Sequence, residues 1–296
     1  MDEMPFPINC IVAATDFSAT GDLAVLRGAH IAQKHGKTLL LLHVVHPLDI
    51  YPELMLTFNA HLKDYERLKQ ANGLASLDQL AVNIRKDFDI KVRTATRIGR
   101  PHVQIAEYAR AESADLLIIG YRGEKNVIDT MIGSTAFRVL RTMPCAVLIV
   151  RNAAVVPYQQ VVAAVDFTSG SIHAPAFACA VAPSALIETL HVFDLKQETL
   201  SRDVGANNAD LKKYRDEAMK YIEGELNKIL EHLNEKRVSS HVMNGYLPET
   251  ICARVSELNA DLVVLGKKGK SSLQEFLLGS VSKTVAGMVN CDVLLT

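Results

Sequence analysis

The sequence predicts an α/β protein made of two copies of one domain, each a parallel sheet with helices on both faces. Three observations carry this prediction. The two halves of the chain repeat one another, strand-length apolar runs alternate with helix-periodic stretches, and one glycine pattern recurs in both halves. The repeat is explicit: Ile11-Val-Ala-Ala-Thr-Asp16-Phe-Ser18 returns as Val161-Val-Ala-Ala-Val-Asp166-Phe-Thr168. Ala114-Asp-Leu-Leu-Ile-Ile-Gly120 returns as Ala260-Asp-Leu-Val-Val-Leu-Gly266, and Cys145-Ala-Val-Leu-Ile-Val150 as Cys291-Asp-Val-Leu-Leu-Thr296. Matched segments in one order mean duplication, and the period is near domain size, which excludes a solenoid of short repeats.

Each element of the first copy has a local reason. An apolar strand over Ile8–Thr15 leads into an Ala-rich helix that follows Ser18 and ends near Gly36. The next strand, Thr38–Val45, is apolar on both faces and so belongs to a buried parallel sheet. From roughly Thr57 to Phe88 the chain is charged with helix-spaced Leu62, Leu68, Leu74, Leu77 and Ile84. A strand (Lys91–Arg97), a helix (Val103–Ala111), a strand (Leu116–Gly120), a helix (Ser134–Arg141) and a last strand (Ala146–Val150) complete the copy. Helices alternating with buried strands imply parallel pairing. The second copy follows the same plan, its long charged helix falling at roughly Asn207–Lys236. The domains are therefore 1–150 and 161–296, joined by a linker over 151–160 that contains Pro157.

Composition narrows the function classes. At about 100–200 residues per domain, 296 residues suggest two domains. A net charge of −1 lacks the basic face that a general grip on nucleic acid requires. The N-terminus opens with acid where a secretory signal carries basic residues, and no apolar run reaches membrane-spanning length. Five scattered cysteines with no C-x-x-C pair argue against a disulfide framework or a zinc knuckle. The expected protein is soluble and globular in a reducing cytoplasm, with neither a nucleic-acid nor a membrane partner.

The glycines carry the chemistry. Gly120-Tyr-Arg-Gly123 is followed after nine residues by Gly133-Ser134-Thr135, and Gly266-Lys-Lys-Gly269 after nine by Gly279-Ser280-Val281. Both copies fit G-x2-G-x9-G-[ST]. Glycine permits close approach of backbone to a ligand and positive φ. A Gly-Ser that opens a helix presents unpaired N–H groups and the positive dipole end to a phosphate. The alternative is a turn followed by an N-cap. Identical spacing in both copies, at the carboxyl ends of strands where open α/β sheets bind ligands, favours phosphate binding.

At this point the chain resembles a tandem universal stress protein over nearly its whole length. The resemblance rests on Val12-Ala-Ala-Thr-Asp16-Phe-Ser18, Leu42-His43-Val44-Val45, Gly99-Arg-Pro101, Ala114–Gly120, the glycine pattern and Met143-Pro144-Cys145. It implies a Rossmann-like, five-stranded parallel sheet per repeat and an ATP-binding site in each, with or without magnesium. The implied ligand residues are Asp16, Val44, Gly120, Gly123, Gly133, Ser134 and Thr135 in the first repeat. In the second they are Asp166, Val192, Gly266, Gly269, Gly279, Ser280 and Val281. The Asp and the residue after the second-strand His flank the adenine end; the glycine pattern holds ribose and phosphates. The resemblance also implies an intra-chain pseudo-dimer through the two last strands, Ala146–Val150 and Asp292–Thr296, with a further homodimer left open. An unknown protein partner would read the nucleotide state.

The second copy departs from the pattern. Gly99-Arg-Pro101 becomes Gly245-Tyr-Leu-Pro248, read as a turn one residue longer, and Pro175 and Pro183 imply a shortened or kinked first helix. His173 and Pro175 are expected beside the base site. Arg122, Lys125, Lys267, Lys268 and Lys270 read either as phosphate partners or as solvated loop charges. Gly269-Lys270-Ser271 is no P-loop, because Val264 stands where that motif needs glycine. Matched His43 and His191 lie in different domains and read as core residues, and matched Cys145 and Cys291 as structural ones. No metal is assigned. With no paired acid and base, no G-x-S-x-G and no H-E-x-x-H, the leading expectation is a nucleotide-dependent stress sensor or switch. A slow ATPase or a phosphoryl- or nucleotidyl-transfer enzyme is the alternative, then a scaffold with vestigial sites that docks through its charged helices.

Overall fold

The computed structural model describes residues 7–47, 52–122, 132–143, 145–151, 156–194, 208–267 and 278–296, without the side chains of 52–62, 208, 210 and 211. The chain divides into two compact units, Ile8–Val155 and one that runs through Val156–Thr296. In the first lie β1 (Ile11–Ala14), α1 (Ala19–His35), β2 (Leu39–Val45), α2 (Pro52–Phe88) and β3 (Val92–Ile98). They are followed by α3 (Pro101–Ala111), β4 (Leu116–Gly120), α4 (Ser134–Thr142) and β5 (Ala146–Val150). The second unit holds β6 (Gln160–Ala164), α5 (Ala174–Val181), β7 (Leu186–Phe193), α6 (Asn208–Leu233) and β8 (Val238–Asn244). Then come α7 (Leu247–Glu257), β9 (Leu262–Leu265), α8 (Ser280–Met288) and β10 (Asp292–Leu295).

Strand order within the first unit is β3-β2-β1-β4-β5, and within the second β8-β7-β6-β9-β10. All these pairings are parallel, as apolar runs buried on both faces require. The registers correspond: Ile11 lies between Leu39 and Leu116, and Val161 between Ile187 and Leu262. In each unit the chain winds outward one way from the first strand and returns on its other side. The gap between β1 and β4, and that between β6 and β9, is a topological switch point, where doubly wound sheets open a crevice.

Helices cover both faces. α1 and α2 pack together over one face of the first sheet, α3 and α4 over the other; α7 and α8 form the matching pair in the second unit. The ends of α1 are set by its sequence. Ser18 caps the start by accepting from the Gly21 N–H, and Gly36 closes the end at φ 61°, with its N–H turned back to Ala32 and Gln33.

Two expectations about the second unit are resolved by its prolines. α5 spans 8 residues against 17 for α1, so the helix is indeed short. Pro175 takes its second position, where a missing N–H costs nothing, and Pro183 lies beyond its end. The turn after β8, by contrast, is no longer than the one after β3. Arg100 and Tyr246 are both N-caps with nearly the same backbone angles, and α3 and α7 both have 11 residues. The proline has moved from the first helical position to the second, with no residue inserted.

Candidate functional site

The crevice in the second unit is a cleft of about 590 Å3, including the part open to solvent. Its walls come from the carboxyl ends of β6, β7 and β9 and the starts of α7 and α8, and they include Asp166, Val192, Gly266, Gly279, Ser280 and Val281. Six residues chosen from sequence therefore share one cavity. Gly269, the seventh, lies outside the described residues, as do Lys268 and Lys270.

The floor of the cleft is a helix start. Gly279 takes φ −56°, ψ 145° as the N-cap of α8, its N–H bonded to the Lys267 carbonyl at 2.8 Å and its own carbonyl accepting from Lys283. No side chain caps this helix. The first-turn N–H groups have no intrahelical acceptor, so they and the dipole offer an anion site. Leu190, Leu247 and Ile251 add an apolar part to the lining. The helix start suits a phosphate and the apolar lining a flat ring.

In the first unit the corresponding residues occupy the same places in the fold. Asp16 follows β1, Val44 lies in β2, Gly120 ends β4, and Ser134 and Thr135 open α4. Gly133 caps α4 at φ −55°, ψ 147°, its N–H bonded to the Tyr121 carbonyl at 2.9 Å, again with no side-chain cap. Gly123 and Lys125 lie outside the described residues.

The glycines owe their places to close packing. Gly133 and Gly279 have negative φ, and the positive-φ glycines among the described residues are Gly36, Gly99 and Gly245. A Cβ on Gly120 would stand 2.7 Å from the Thr20 carbonyl oxygen, and one on Gly266 3.1 Å from Gly170 and Ser171. The start of the first helix region crosses directly over the end of the fourth strand in each repeat. Glycine at that strand end is a packing requirement in the first repeat and a tight fit in the second, beside any contact with a ligand.

The Asp at the end of the first strand is part of a local hydrogen-bond network. Asp16 Oδ1 accepts from the Ser18 N–H (3.1 Å) and hydroxyl (2.5 Å). Burial, and then the neighbouring Asp16, push the carboxyl of Asp22 up from its ordinary range. Asp166 Oδ1 accepts from the Thr168 N–H (3.1 Å), the Thr168 hydroxyl (2.5 Å) and the Ser171 hydroxyl. His173 and Pro175, expected beside this Asp, do not line the cleft; Ser171 does.

Between each Asp and its helix sits a phenylalanine at positive φ, Phe17 at 62° and Phe167 at 60°. Such a conformation is costly for a bulky side chain. Each ring rests on a histidine, Phe17 on His43 at 4.5 Å and Phe167 on His191 at 4.7 Å between centroids. His43 Nδ1 donates to the Thr15 carbonyl at 2.9 Å and His191 Nδ1 to that of Val165 at 2.6 Å. A carbonyl only accepts, so both rings carry their proton on Nδ1. The paired histidines are the clamps that hold the strained turn, which the repeated Asp-Phe-Ser/Thr and the matched His positions together would have signalled. Ser282, bonded to the Gly266 carbonyl at 2.6 Å, gave no such signal because the first repeat has Ala136 there.

The universal stress protein family matches the chain twice, over residues 8–151 and 157–296. A universal stress protein of Methanocaldococcus jannaschii is 24% identical over 152 residues, 48% of this chain and 94% of that protein. One from Thermus aquaticus is 31% identical over 120 residues, 40% of this chain and 82% of that protein. The crystal structure of a universal stress protein from Archaeoglobus fulgidus aligns over 98% of both chains with a TM-score of 0.68 at 20% identity, a likeness of fold. Two matches in tandem, on two units of the same topology, make this chain a member of the universal stress protein family.

Proposed function

We propose that each repeat binds an adenine nucleotide, ATP foremost, and that the protein is a nucleotide-dependent switch in the stress response of the cytoplasm. One observation carries the reading. Six of the seven residues that family resemblance assigns to adenine, ribose and phosphate line a single cleft in the second repeat, which includes a helix start with no side-chain cap. The main-chain N–H groups of Ser280, Val281 and Ser282 suit the phosphates, the apolar lining suits the adenine, and Asp166 suits a donor on the nucleoside. In the first repeat Ser134, Thr135 and Asp16 take these parts.

The reading is of binding without dedicated turnover. The carboxylate in the cleft accepts three hydrogen bonds on Oδ1 from its own turn, and no acid stands paired with it among the residues that line the cleft. The test is to purify the protein without added nucleotide, denature it, and identify and count what is released. ATP at one or two equivalents per chain supports the proposal, and the count tells whether both repeats fill. A protein that is empty and also fails to take up added ATP overturns it.

A further inference from the structure

Among the described residues, four of the large apolar side chains left exposed lie on α2: Tyr65, Leu68, Leu74 and Val82. The helix packs against α1, β2 and β3, and its buried residues Gly73, Leu77, Ala81 and Ile84 follow helical spacing. At about 3.6 residues per turn, Leu68, Ala75 and Val82 fall on the side away from that buried line. They stand one heptad apart and all are exposed, Leu68 at 61% and Val82 at 53%. The same side carries Asp64 and Lys86, eleven residues to either side of Ala75 and both exposed. Asp64 has a solvated partner on its own helix, Arg67 at 3.8 Å, and Lys86 makes no ion pair among the described residues.

This face is complementary to itself. A two-fold axis at Ala75 sets two copies of α2 antiparallel, so that positions equally distant from Ala75 meet. Leu68 then meets Val82 of the second copy, Asp64 meets its Lys86, and each contact occurs twice. Ala75 at the axis and Ala71 beside it are small enough for the two helices to come close. Parallel copies in register would instead set Asp64 against Asp64 and Lys86 against Lys86, which like charge opposes. In the second repeat α6 is built otherwise. Its exposed large apolar residues are Tyr214 and Tyr221, and its charges pair along the helix, Lys213 with Glu217 at 3.9 Å and Lys228 with Glu225 at 2.6 Å.

We propose that the outer face of α2 is where a second copy of this chain docks, its α2 antiparallel to the first with Ala75 on the two-fold axis. Apolar contact supplies the adhesion and the paired charges set the direction. Two leucine–valine contacts and two ion pairs make a small interface, of the kind below about 1,200 Å2 that associates weakly and reversibly.

The test is sedimentation equilibrium of the full chain at low salt, where surface charge is least screened. The wild-type chain should show a concentration-dependent equilibrium of monomer and dimer. Leu68→Glu should raise the dissociation constant about tenfold or more, because it sets a carboxylate against Val82. Asp64→Lys and Lys86→Asp should each raise it about fivefold by turning both ion pairs into like-charge pairs, and together should restore it to within about twofold. All these positions are exposed, so every variant should melt like the wild type, which separates loss of the dimer from loss of the fold. Ala75→Cys should cross-link through a symmetric disulfide on mild oxidation, above the level given by the native cysteines. Ser76→Cys, about 100° further round the helix, should not. A chain that stays monomeric, or a dimer indifferent to Leu68→Glu, overturns the proposal and leaves the face to a different protein. A dimer weakened by Leu68→Glu whose two charge reversals fail to rescue one another overturns the antiparallel register.

Discussion

The two repeats share a backbone and differ in how they fill it. Positions that correspond by strand register and helix length are Leu40 and Tyr108 in the first repeat, Glu188 and Arg254 in the second. In the first repeat both are buried, a leucine and a tyrosine. In the second they form an ion pair with Nη2–Oε2 at 2.6 Å and Nε–Oε1 at 2.9 Å, its side chains 15% and 10% exposed. Both solutions keep β2 or β7 against its covering helix, so the fold asks only for volume and pairing there. The exchange of Thr15 and Gly21 for Val165 and Ser171 has the same character: a Cβ on Gly21 would lie 2.7 Å from the Thr15 hydroxyl, and where valine replaces that threonine the Ser171 hydroxyl accepts from the Asp166 N–H at 2.9 Å. Duplicated domains drift in their interiors by compensated pairs, while the strands and the helix start that build the crevice keep their geometry.

The ion pair gives the largest break in this symmetry. Glu188→Leu leaves the Arg254 guanidinium buried with only the largely exposed Glu257 at 2.8 Å. Removing one partner of a buried pair costs about 3–5 kcal/mol, and the second repeat should unfold at correspondingly lower urea. Installing both first-repeat residues, Glu188→Leu with Arg254→Tyr, should recover all but about 1 kcal/mol, since apolar replacement of a whole pair is often near neutral. A double variant as unstable as the single one would show that the repeats are not interchangeable at this position.

The strand-end glycines sharpen the comparison by a smaller amount. At Gly120 the obstruction is the backbone of Thr20, with its carbonyl oxygen 2.7 Å and carbon 2.8 Å from an added Cβ, so α1 must shift bodily. At Gly266 the nearest atoms are 3.1 Å away and need to yield only slightly. Overpacking of this kind costs about 1–3 kcal/mol. Gly120→Ala should fall at the top of that range and Gly266→Ala at the bottom, measured by the denaturant midpoints of the two repeats.

These glycines also mark where sequence reading stopped. Their spacing located the crevice, because a duplicated pattern at two strand ends is a local signal. A second reason for them was not legible, because the atoms that crowd a side chain there belong to Thr20 and Gly170, far away along the chain. Strands such as Leu116–Gly120 and Ala146–Val150 were legible to the residue, since an unbroken apolar run has one place in a parallel sheet. The start of α2 was not: the helix begins at Pro52, before the Thr57 that periodicity suggested, in keeping with proline's fitness for a first helical position. The length of the turn before α7 is not legible from its proline, which stands at the second helical position where that of α3 stands at the first. Ser171 stayed invisible because its meaning depends on Val165, and only folding puts those two against Asp166.

Helix capping separates the repeats again. Ser18→Ala removes the cap of α1 and a hydrogen bond to Asp16, and should cost the first repeat about 1 kcal/mol. His173, the N-cap of α5, makes no side-chain capping bond, so His173→Ala should leave the second repeat within about 0.5 kcal/mol. Circular-dichroism melts of the two variants check both values.

The smallest effect is a difference in acid sensitivity. His102, near the start of α3, is held below its ordinary pKa of 6.5 first by burial, then by the Arg138 and Arg100 guanidinium groups. The second repeat has Pro248 at that place in α7. A histidine whose folded pKa is depressed binds its proton later than the unfolded chain does. Above pH 6.5 it contributes nothing to the pH dependence; as pH falls below 6.5 the unfolded state gains a proton that the folded state refuses, and stability declines until the folded pKa is passed. His102→Gln should therefore flatten the first repeat's stability profile on the acid side of 6.5 and change it little at neutral pH. The second repeat's profile should not respond. If the wild-type slope persisted in the variant, the acid loss would have to come from other titrating groups, and the cationic setting of His102 would carry no weight in the difference between the repeats.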